Sequence, residues 1–367
     1  MFWYIVIAII LLYLTGMYYL ALSRNQDASP AFLKISCFVL WFFMAFRSID
    51  VGADTKQYCY GFEQIRKIKW TQLFNTPVFG MGGYELEFEP GYRILNRLVG
   101  SLFTSNQAIT IANSTIIIIL LYWLIKKWSL NPVLSICLYL TLGIFQTEMN
   151  MARNAIAIMI CYLAMKCVED RKPIKYIVIV LLAMTVHSSA ILFVPLYWLI
   201  NKVYLTTKKT TFLLFLSIVI GLTFPFTRQY ILYIVPSRFQ RYFYGNTSRY
   251  ESLLVGLLHI CLFLLVLLFV NRDNRPQLFS IQNIGTWMFL LDIMFFCIGF
   301  DLSSASRMAA LFGPYLMIFI PNLIETGVNK NKGFLISCIF AICGFQYLLR
   351  ISINNIGSTM PYSFFWN

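Results

Sequence analysis

Long apolar runs constrain the fold of this chain more than any other feature of its sequence. Stretches of about 17–22 residues with few charges recur from one end to the other. As a helix, a run of this length crosses the hydrocarbon core of a bilayer. With 59% hydrophobic and only 12% charged residues over 367 positions, the chain has more apolar surface than a soluble domain can bury. The sequence therefore predicts an all-α polytopic integral membrane protein.

We expect about 12 transmembrane helices in a single transmembrane domain covering residues 1–367. Two of these helices come from residues 173–201, where His187-Ser188-Ser189 interrupts the apolar run. Two long connections, 48–106 and 227–251, are expected outside, and Tyr92–Phe103 has the pattern of an interfacial helix. The other expected spans are 2–22, 31–47, 107–126, 131–147, 151–168, 210–226, 252–270, 281–299, 304–323 and 333–350.

The expected orientation places both termini on the non-cytoplasmic side. No cation precedes Arg24, so the first apolar run lacks the positive start of a secretory signal and is expected to remain as a span. Arg24 then marks its cytoplasmic end. Over the whole chain this topology puts 15 cations inside and 14 outside. The positive-inside rule therefore decides little by count alone.

The two sides differ in which cations they carry. The inside receives 11 lysines and 4 arginines, and the outside receives 11 arginines and 3 lysines. Lysine suits general anchoring to lipid headgroups, whereas the arginine guanidinium binds phosphate and carboxylate bidentately. The outer face therefore indicates an anion-binding site, with arginines that merely snorkel to headgroups as the alternative. The net charge of +14 has the same explanation, and no nucleic acid is expected as a partner.

Polar residues at the ends of the predicted spans gather on this outer side, where charges are costly and indicate function. Arg153 opens a span and requires an anionic partner, either Glu148 or a ligand. His187 interrupts an apolar run, so it either acts on a ligand or only packs. The remaining candidates are Arg47, Asp50, Asp54, Glu87, Glu89, Asp301, Arg307 and the arginines of 227–251.

Several common signatures do not occur in the sequence. There is no Walker A loop, no GxSxG, no HExxH and no DxD motif. ATP-driven transport and serine hydrolysis therefore have no support. The pair Asp50-x-x-x-Asp54 is a weak metal signal, and the nine cysteines form no CxxC pair. No metal and no other cofactor are expected.

Five short motifs follow one another along nearly the whole chain. They are Arg47-x-x-x-x-Gly52-x-Asp54-Thr55-x-x-Tyr58, Glu89-Pro-Gly-Tyr92, Arg153 in Ala-Arg-Asn-Ala-Ile-Ala, His187-Ser188 after an apolar run, and Pro361-Tyr362 before aromatic residues. In this order they resemble the EpsG family of Wzy-like polysaccharide polymerases. Residues 59–86 and 227–251 match that pattern less well.

The resemblance implies a membrane glycosyltransferase on the outer face of the bacterial plasma (inner) membrane. Its substrate would be an undecaprenyl-pyrophosphate-linked oligosaccharide repeat unit. A sugar hydroxyl would attack the anomeric carbon of the growing chain, and undecaprenyl pyrophosphate would leave. The product would be O-antigen, capsule or exopolysaccharide, with a flippase and a chain-length regulator as partners in the lipid bilayer. Because the donor carries its own leaving group, neither ATP nor a metal is required.

The chemistry that the resemblance implies suggests three roles for the candidate residues, although the arginines of 227–251 are not carried over from the family itself. The general base is His187, Asp54 or Glu89, and the sequence does not choose among them. Tyr58 and Tyr92 are candidates for stacking on sugars, with an interfacial aromatic belt as the alternative. The cations expected to bind the pyrophosphate are Arg47, Arg153, Arg241, Arg249 and Arg307.

Other functions stay open at this point. A flippase for the same lipid-linked oligosaccharide fits twelve spans, but alternating access needs a site near the midplane, where Asp292 is the main ionisable residue. An O-antigen ligase shares the donor and the membrane side. A membrane acyltransferase would explain one outer histidine but not so many arginines. The order of the motifs favours the polymerase.

Overall fold

The computed structural model describes residues 1–234, 249–270, 282–299, 307–328, 330–352 and 356–366. These residues are mainly helical, and two isolated bridges are their only β-pairing. The principal helices, α1 to α15 in chain order, are Phe2–Ser23, Ser29–Ala45, Ala53–Ile65, Pro90–Leu102, Gln107–Trp128, Pro132–Thr141, Ile144–Asn150, Ala152–Glu169, Pro173–Met184, Leu196–Lys202, Thr207–Ile234, Arg249–Phe269, Asn283–Gly299, Leu316–Gly327 and Lys332–Ser352.

The described helices confirm an all-α polytopic membrane protein. Four are long and apolar enough to cross a membrane: α1, α5, Thr207–Tyr230 of α11 and Lys332–Leu349 of α15. The helices α6 and α7 form a further candidate span, bent by 60°. Shorter apolar helices are α2, α9, α13 and Val255–Phe269 of α12. Most of the expected spans overlap a described helix whose ends differ by a few residues. Two differ more: the second half of 173–201 forms the 3₁₀ helix Ser188–Phe193 and the seven-residue α10, and the expected span 304–323 overlaps α14, which begins at Leu316 and has twelve residues.

The connection 48–106 is largely helical. It contains α3 and α4, and α4 corresponds to the interfacial pattern predicted for Tyr92–Phe103. The sequence shows no long apolar run at α3, because only one face of this helix is buried. That face includes Tyr58, Phe62 and Ile65. In the connection 227–251, α11 continues to Ile234 and α12 begins at Arg249, and the residues between them lie outside the described ranges.

The chain forms two compact units. The first comprises Met1–Trp128, Pro132–Leu199 and Tyr347–Asn367, and the second comprises Ser129–Asn131 and Ile200–Gln346. In the first unit, α5 packs against α2 and α8, α8 packs against α9, and α3 and α4 pack on each other and on α5. In the second unit, α13 packs against α11 and α12.

Two breaks in the chain determine where α8 begins. Gly143 separates α6 from α7 with φ +73°, a left-handed conformation that glycine adopts without a Cβ clash. Met151, with φ −99° and ψ 53°, then interrupts the helix before α8 starts at Ala152. Arg153 is therefore the second residue of α8, and its side chain reaches the residues that precede α4.

Candidate active site

The carboxylate of Glu89 joins two other predicted site residues. Its Oε2 accepts a hydrogen bond from Arg153 Nη1 at 2.7 Å. Its Oε1 lies 2.9 Å from His187 Nδ1 and accepts the backbone N–H of Ser188, also at 2.9 Å. The side chains of Glu89, Arg153 and His187 are 15%, 18% and 29% exposed. We call these three residues the Glu89 triad.

The contacts of Glu89 determine its charge. Burial raises the pKa of the carboxyl, but the hydrogen bond from His187, the Arg153 charge and the Ser188 N–H together outweigh burial, so the pKa lies below its ordinary value. Glu89 is then an ionised, acceptor-only group at neutral pH. His187 Nδ1 therefore carries the proton in this contact, and Nε2 is the basic ring nitrogen.

Backbone contacts bring Glu89 to His187. The N–H groups of Gly91 and Tyr92 both donate to the carbonyl of Thr185, at 2.7 and 3.2 Å. A Cβ on Gly91 would lie 2.8 Å from that oxygen, so only glycine allows this approach. Thr185 directly follows α9, and His187 precedes the 3₁₀ helix Ser188–Phe193. The first turn of α4 is therefore docked against the turn that carries His187.

Three aromatic rings surround the Arg153 guanidinium. Its Cζ lies 4.5 Å from the ring centre of Phe88, 5.5 Å from that of Tyr92 and 5.6 Å from that of Tyr58. Cation–π attraction at these distances adds to the ion pair with Glu89. Arg153 Nη1 also donates to the carbonyl of Glu87 at 3.3 Å. These contacts hold the guanidinium in one position.

Tyr58 and Tyr92, the predicted sugar-stacking residues, belong to this aromatic wall. They are 5% and 0% exposed, and their ring centres are 5.9 Å apart. The Tyr92 hydroxyl accepts a hydrogen bond from Asn113 Nδ2 at 2.9 Å. Since both rings face Arg153 and little of either is exposed, the structure gives them a part in positioning that arginine.

Glu148, expected from the sequence as a partner of Arg153, makes a different contact. It is buried, and its Oε2 accepts a hydrogen bond from the Tyr139 hydroxyl at 2.6 Å. The ion-pair partner of Arg153 is Glu89, which lies 64 positions away in the sequence. The sequence left Glu148 and a ligand as alternative partners of Arg153. The described contacts do not include the Glu148 pairing, because the break at Met151 separates the two residues into different helices.

Arg47 contacts the residues that immediately precede α8. It is 2% exposed, its Nη2 donates to the carbonyl of Met149 at 2.8 Å, and its Nη1 donates to the carbonyl of Met44 and to Ser114 Oγ. These partners are protein groups, and they connect the end of α2 to the corner between α7 and α8. The contacts thus place Arg47 as a support for that corner.

Asp54 contacts the same corner through its backbone. Its N–H donates to Asn150 Oδ1 at 2.9 Å, at the end of α7. Gly52, with φ +97°, approaches Asn150 so closely that a Cβ would lie 3.3 Å from the Asn150 Cα. The motif from Arg47 to Tyr58 therefore supports the residues immediately before Arg153.

Of the three remaining predicted arginines, the structure describes the side chain of one. Arg241 and the side chain of Arg249 lie outside the described residues. Arg307 belongs to the second unit, where its side chain is exposed. Of the candidates, the structure brings Glu89, Arg153 and His187 into direct contact.

Some residues of the site were not identified from the sequence. Phe88 directly precedes the Glu89-Pro-Gly-Tyr92 motif, and Gly91 belongs to it. Their position in the sequence next to Glu89 could have indicated that they contribute to the site. Asn154, which bonds Ser189 Oγ through its Oδ1 at 2.7 Å, likewise follows Arg153. For Thr185 there is no signal, because its backbone carbonyl makes the contact and any residue provides that group.

The chain matches the sequence profile of the EpsG family over residues 31–364, nearly its whole length. This range contains the Glu89 triad, the Arg47–Tyr58 motif and the C-terminal Pro361-Tyr362. No curated protein and no solved structure gives a significant match. EpsG is a Wzy-like, polymerase-type family associated with polysaccharide biosynthesis. The protein is a polytopic membrane protein that belongs to the EpsG family.

Proposed function

We propose that this protein polymerises polyprenyl-pyrophosphate-linked oligosaccharide repeat units into a surface polysaccharide on the outer face of the bacterial plasma membrane. Membership of the EpsG family and the helical membrane fold support this proposal. The single observation that carries it is the Glu89 carboxylate shared between Arg153 and His187. An oriented base beside a fixed cation would serve glycosyl transfer from a pyrophosphate donor, and the contacts of Glu89 support that assignment.

In the proposed reaction, His187 Nε2 takes the proton of an acceptor sugar hydroxyl. The hydroxyl oxygen forms a bond to the anomeric carbon of the lipid-linked donor. The bond from that carbon to the pyrophosphate oxygen breaks, and polyprenyl pyrophosphate leaves with the electron pair. Direct displacement inverts the anomeric carbon, and the proton on His187 is later released to water.

Glu89 acts on His187 in this proposal and does not itself remove the proton. An ionised carboxylate at Nδ1 fixes the tautomer with the basic lone pair on Nε2 and stabilises the imidazolium that forms. Of the three bases expected from the sequence, the contacts thus favour His187. Asp54, whose described hydrogen bond is made by its backbone N–H, is assigned to supporting the corner before Arg153.

Arg153 supplies a fixed positive charge close to the reacting groups. Because the Glu89 carboxylate offsets that charge, a departing pyrophosphate requires further cations. Arg241, Arg249 and Arg307 are our candidates for this role. A flippase that delivers the repeat unit and a chain-length regulator are the proposed partners, and both termini are proposed to lie on the non-cytoplasmic side.

The proposal is tested in cells that carry this chain as their only copy of the polymerase. We expect His187→Gln, Glu89→Gln and Arg153→Lys to reduce polymer formation, by at least ~100-fold for His187→Gln if it is the base. Single lipid-linked repeat units should accumulate on the outer face of the membrane. The readout is polysaccharide length on gels together with the extracted lipid-linked fraction, at matched protein levels in the membrane.

The matched control is Arg66→Lys, the same change as Arg153→Lys at an arginine of the same unit that pairs with the partly exposed Glu63. It should leave the polymer ladder intact. Unchanged ladders in all three site variants would contradict the proposed site. Repeat units that accumulate facing the cytoplasm would indicate a flippase, and long polymer that stays on its lipid would indicate a ligase.

A further inference from the structure

An aromatic groove runs between α2 and α5, away from the Glu89 triad. Its cavity volume is about 360 Å³, and its lining includes Phe38, Trp41 and Trp123. Trp41 Nε1 donates to Thr115 Oγ1 at 2.9 Å and thereby joins the two helices within the groove. Phe38, Ile119 and Trp123 are 61%, 51% and 54% exposed. The groove therefore opens onto the surface of the protein and not into its core.

The contact between the end of α2 and the start of α5 determines the depth of this groove in the membrane. Gln107, the first residue of α5, donates to the carbonyl of Ala45, the last residue of α2, at 2.5 Å. These two ends therefore lie on the membrane side that carries residues 48–106 and the Glu89 triad. The opposite ends, with the start of α2 and the end of α5, lie at the other membrane face. The groove extends toward that face.

The helix register places a lysine at the mouth of the groove. Trp41 and Thr115 are in contact, and α2 and α5 run antiparallel. Seven residues from the Trp41–Thr115 contact toward the opposite membrane face, about 10 Å along either helix, Lys34 of α2 lies level with Tyr122 of α5. Both residues line the cavity. Lys34 thus lies at the end of the groove's aromatic lining.

A second lysine lies at the same level. Lys126 Nζ is 5.6 Å from the ring centre of Tyr122 and 5.7 Å from that of Trp123. Lys127 follows it in the last turn of α5. Within the described part of the chain, Lys34, Lys126 and Lys127 make no ion pair with a carboxylate. The mouth of the groove therefore combines positive charge with an apolar, aromatic floor.

We propose that this groove binds one anionic phospholipid, such as phosphatidylglycerol, from the leaflet opposite the Glu89 triad. The headgroup phosphate pairs with Lys34 and Lys126, and an acyl chain lies along Phe38, Trp41 and Ile119. A zwitterionic phospholipid places its own ammonium group beside the lysines and is therefore bound less well. The site involves none of the groups used in the proposed reaction, so it stands independently of that proposal.

Native mass spectrometry of the delipidated full chain in detergent tests this site, with phosphatidylglycerol and phosphatidylcholine added in equal amounts. We expect one molecule of phosphatidylglycerol to be retained, with about tenfold or greater preference over phosphatidylcholine. The double variant Lys34→Gln, Lys126→Gln should lose this preference. Ile119→Trp should lose the bound lipid while keeping both lysines, because the larger ring fills the groove.

The control is Lys208→Gln, Lys209→Gln, which removes two exposed lysines at the start of α11. It should bind phosphatidylglycerol as the unaltered protein does. Equal retention of the two lipids by the unaltered protein would overturn the proposal. So would phosphatidylglycerol binding that survives Ile119→Trp, which would indicate a diffuse attraction to lysines. A dimer that carries no lipid would show that a second copy covers this face and would overturn it as well.

Discussion

At the level of single residues, Glu89 is the group on which the contacts of the site converge. One oxygen binds Arg153, and the other binds His187 and the Ser188 N–H. Changing this carboxylate therefore disturbs the cation and the base at once. Residues that act as one unit in this way have strongly non-additive effects on rate.

This coupling predicts the behaviour of a double variant. Glu89→Gln and His187→Gln should each reduce the rate of polymer formation by about 100-fold or more. The double variant should be no slower than the slower single variant, because Glu89 acts through His187. The measurement is the initial rate of polymer growth in membrane vesicles supplied with lipid-linked repeat units. Losses that multiply in the double variant would show that the two side chains act separately.

The lowered pKa of Glu89 predicts a dependence of stability on pH. A carboxyl group whose pKa is lower in the folded protein contributes stability above its ordinary pKa of 4.5, and that stability is lost as the pH falls through the lowered value. Arg153→Gln removes one of the groups that lower the pKa. The loss of stability in acid should therefore be smaller in Arg153→Gln than in the unaltered protein, and it should be complete at a higher pH.

Thermal unfolding in detergent across the acidic range measures this shift. Arg24→Gln is the control, since Arg24 is an exposed residue at the end of α1 in the same unit and pairs with no carboxylate among the described residues. Exposed side chains of this kind contribute little to stability, so the control should follow the unaltered protein. If the Arg153→Gln and unaltered curves coincide, Arg153 does not influence the titration of Glu89.

At the level of elements, the site depends on how the first turn of α4 docks against Thr185. Gly91→Ala should separate Glu89 from His187, because the added Cβ would lie 2.8 Å from the Thr185 carbonyl oxygen. We expect polymer formation to fall by about tenfold or more while the protein still reaches the membrane, since small misplacements of catalytic groups are costly. Gly16→Ala, in α1, is the control, because a Cβ there has no neighbour within 4 Å.

The position of α4 along the chain could be predicted from the sequence, but its docking against Thr185 could not. The interfacial pattern up to Phe103 and Pro90 at the first helical position indicate where α4 lies. Apolar runs likewise give the spans, because burial in lipid selects them directly. The ion pair of Glu89 with Arg153 depends instead on the break at Met151 and on a backbone carbonyl, which leave no pattern of residue types. Sequence reasoning therefore identified the triad members but not their pairing.

At the level of the whole molecule, the C-terminal segment returns to the first unit and contacts the start of the Arg47 motif. Ser48 N–H donates to the Ser363 carbonyl at 2.8 Å, Gly52 N–H donates to the Ser358 carbonyl at 2.9 Å, and the Tyr362 hydroxyl donates to the Phe43 carbonyl at 2.7 Å. This closure joins positions more than 300 residues apart. Motif order indicated that both ends matter, but only the tertiary structure shows that they touch.

Phe364 and Phe365 test this closure as a matched pair of neighbours. Phe364 is 5% exposed and its ring centre lies within 6 Å of those of Trp3 and Phe43, whereas Phe365 is 47% exposed. Phe364→Ala should reduce the free energy of unfolding by about 3–5 kcal/mol, the usual cost of emptying a buried phenylalanine site. Phe365→Ala should cost much less, since exposed side chains contribute little. Denaturant unfolding in detergent gives both values, and equal losses would mean that the C-terminal segment does not stabilise the first unit through Phe364.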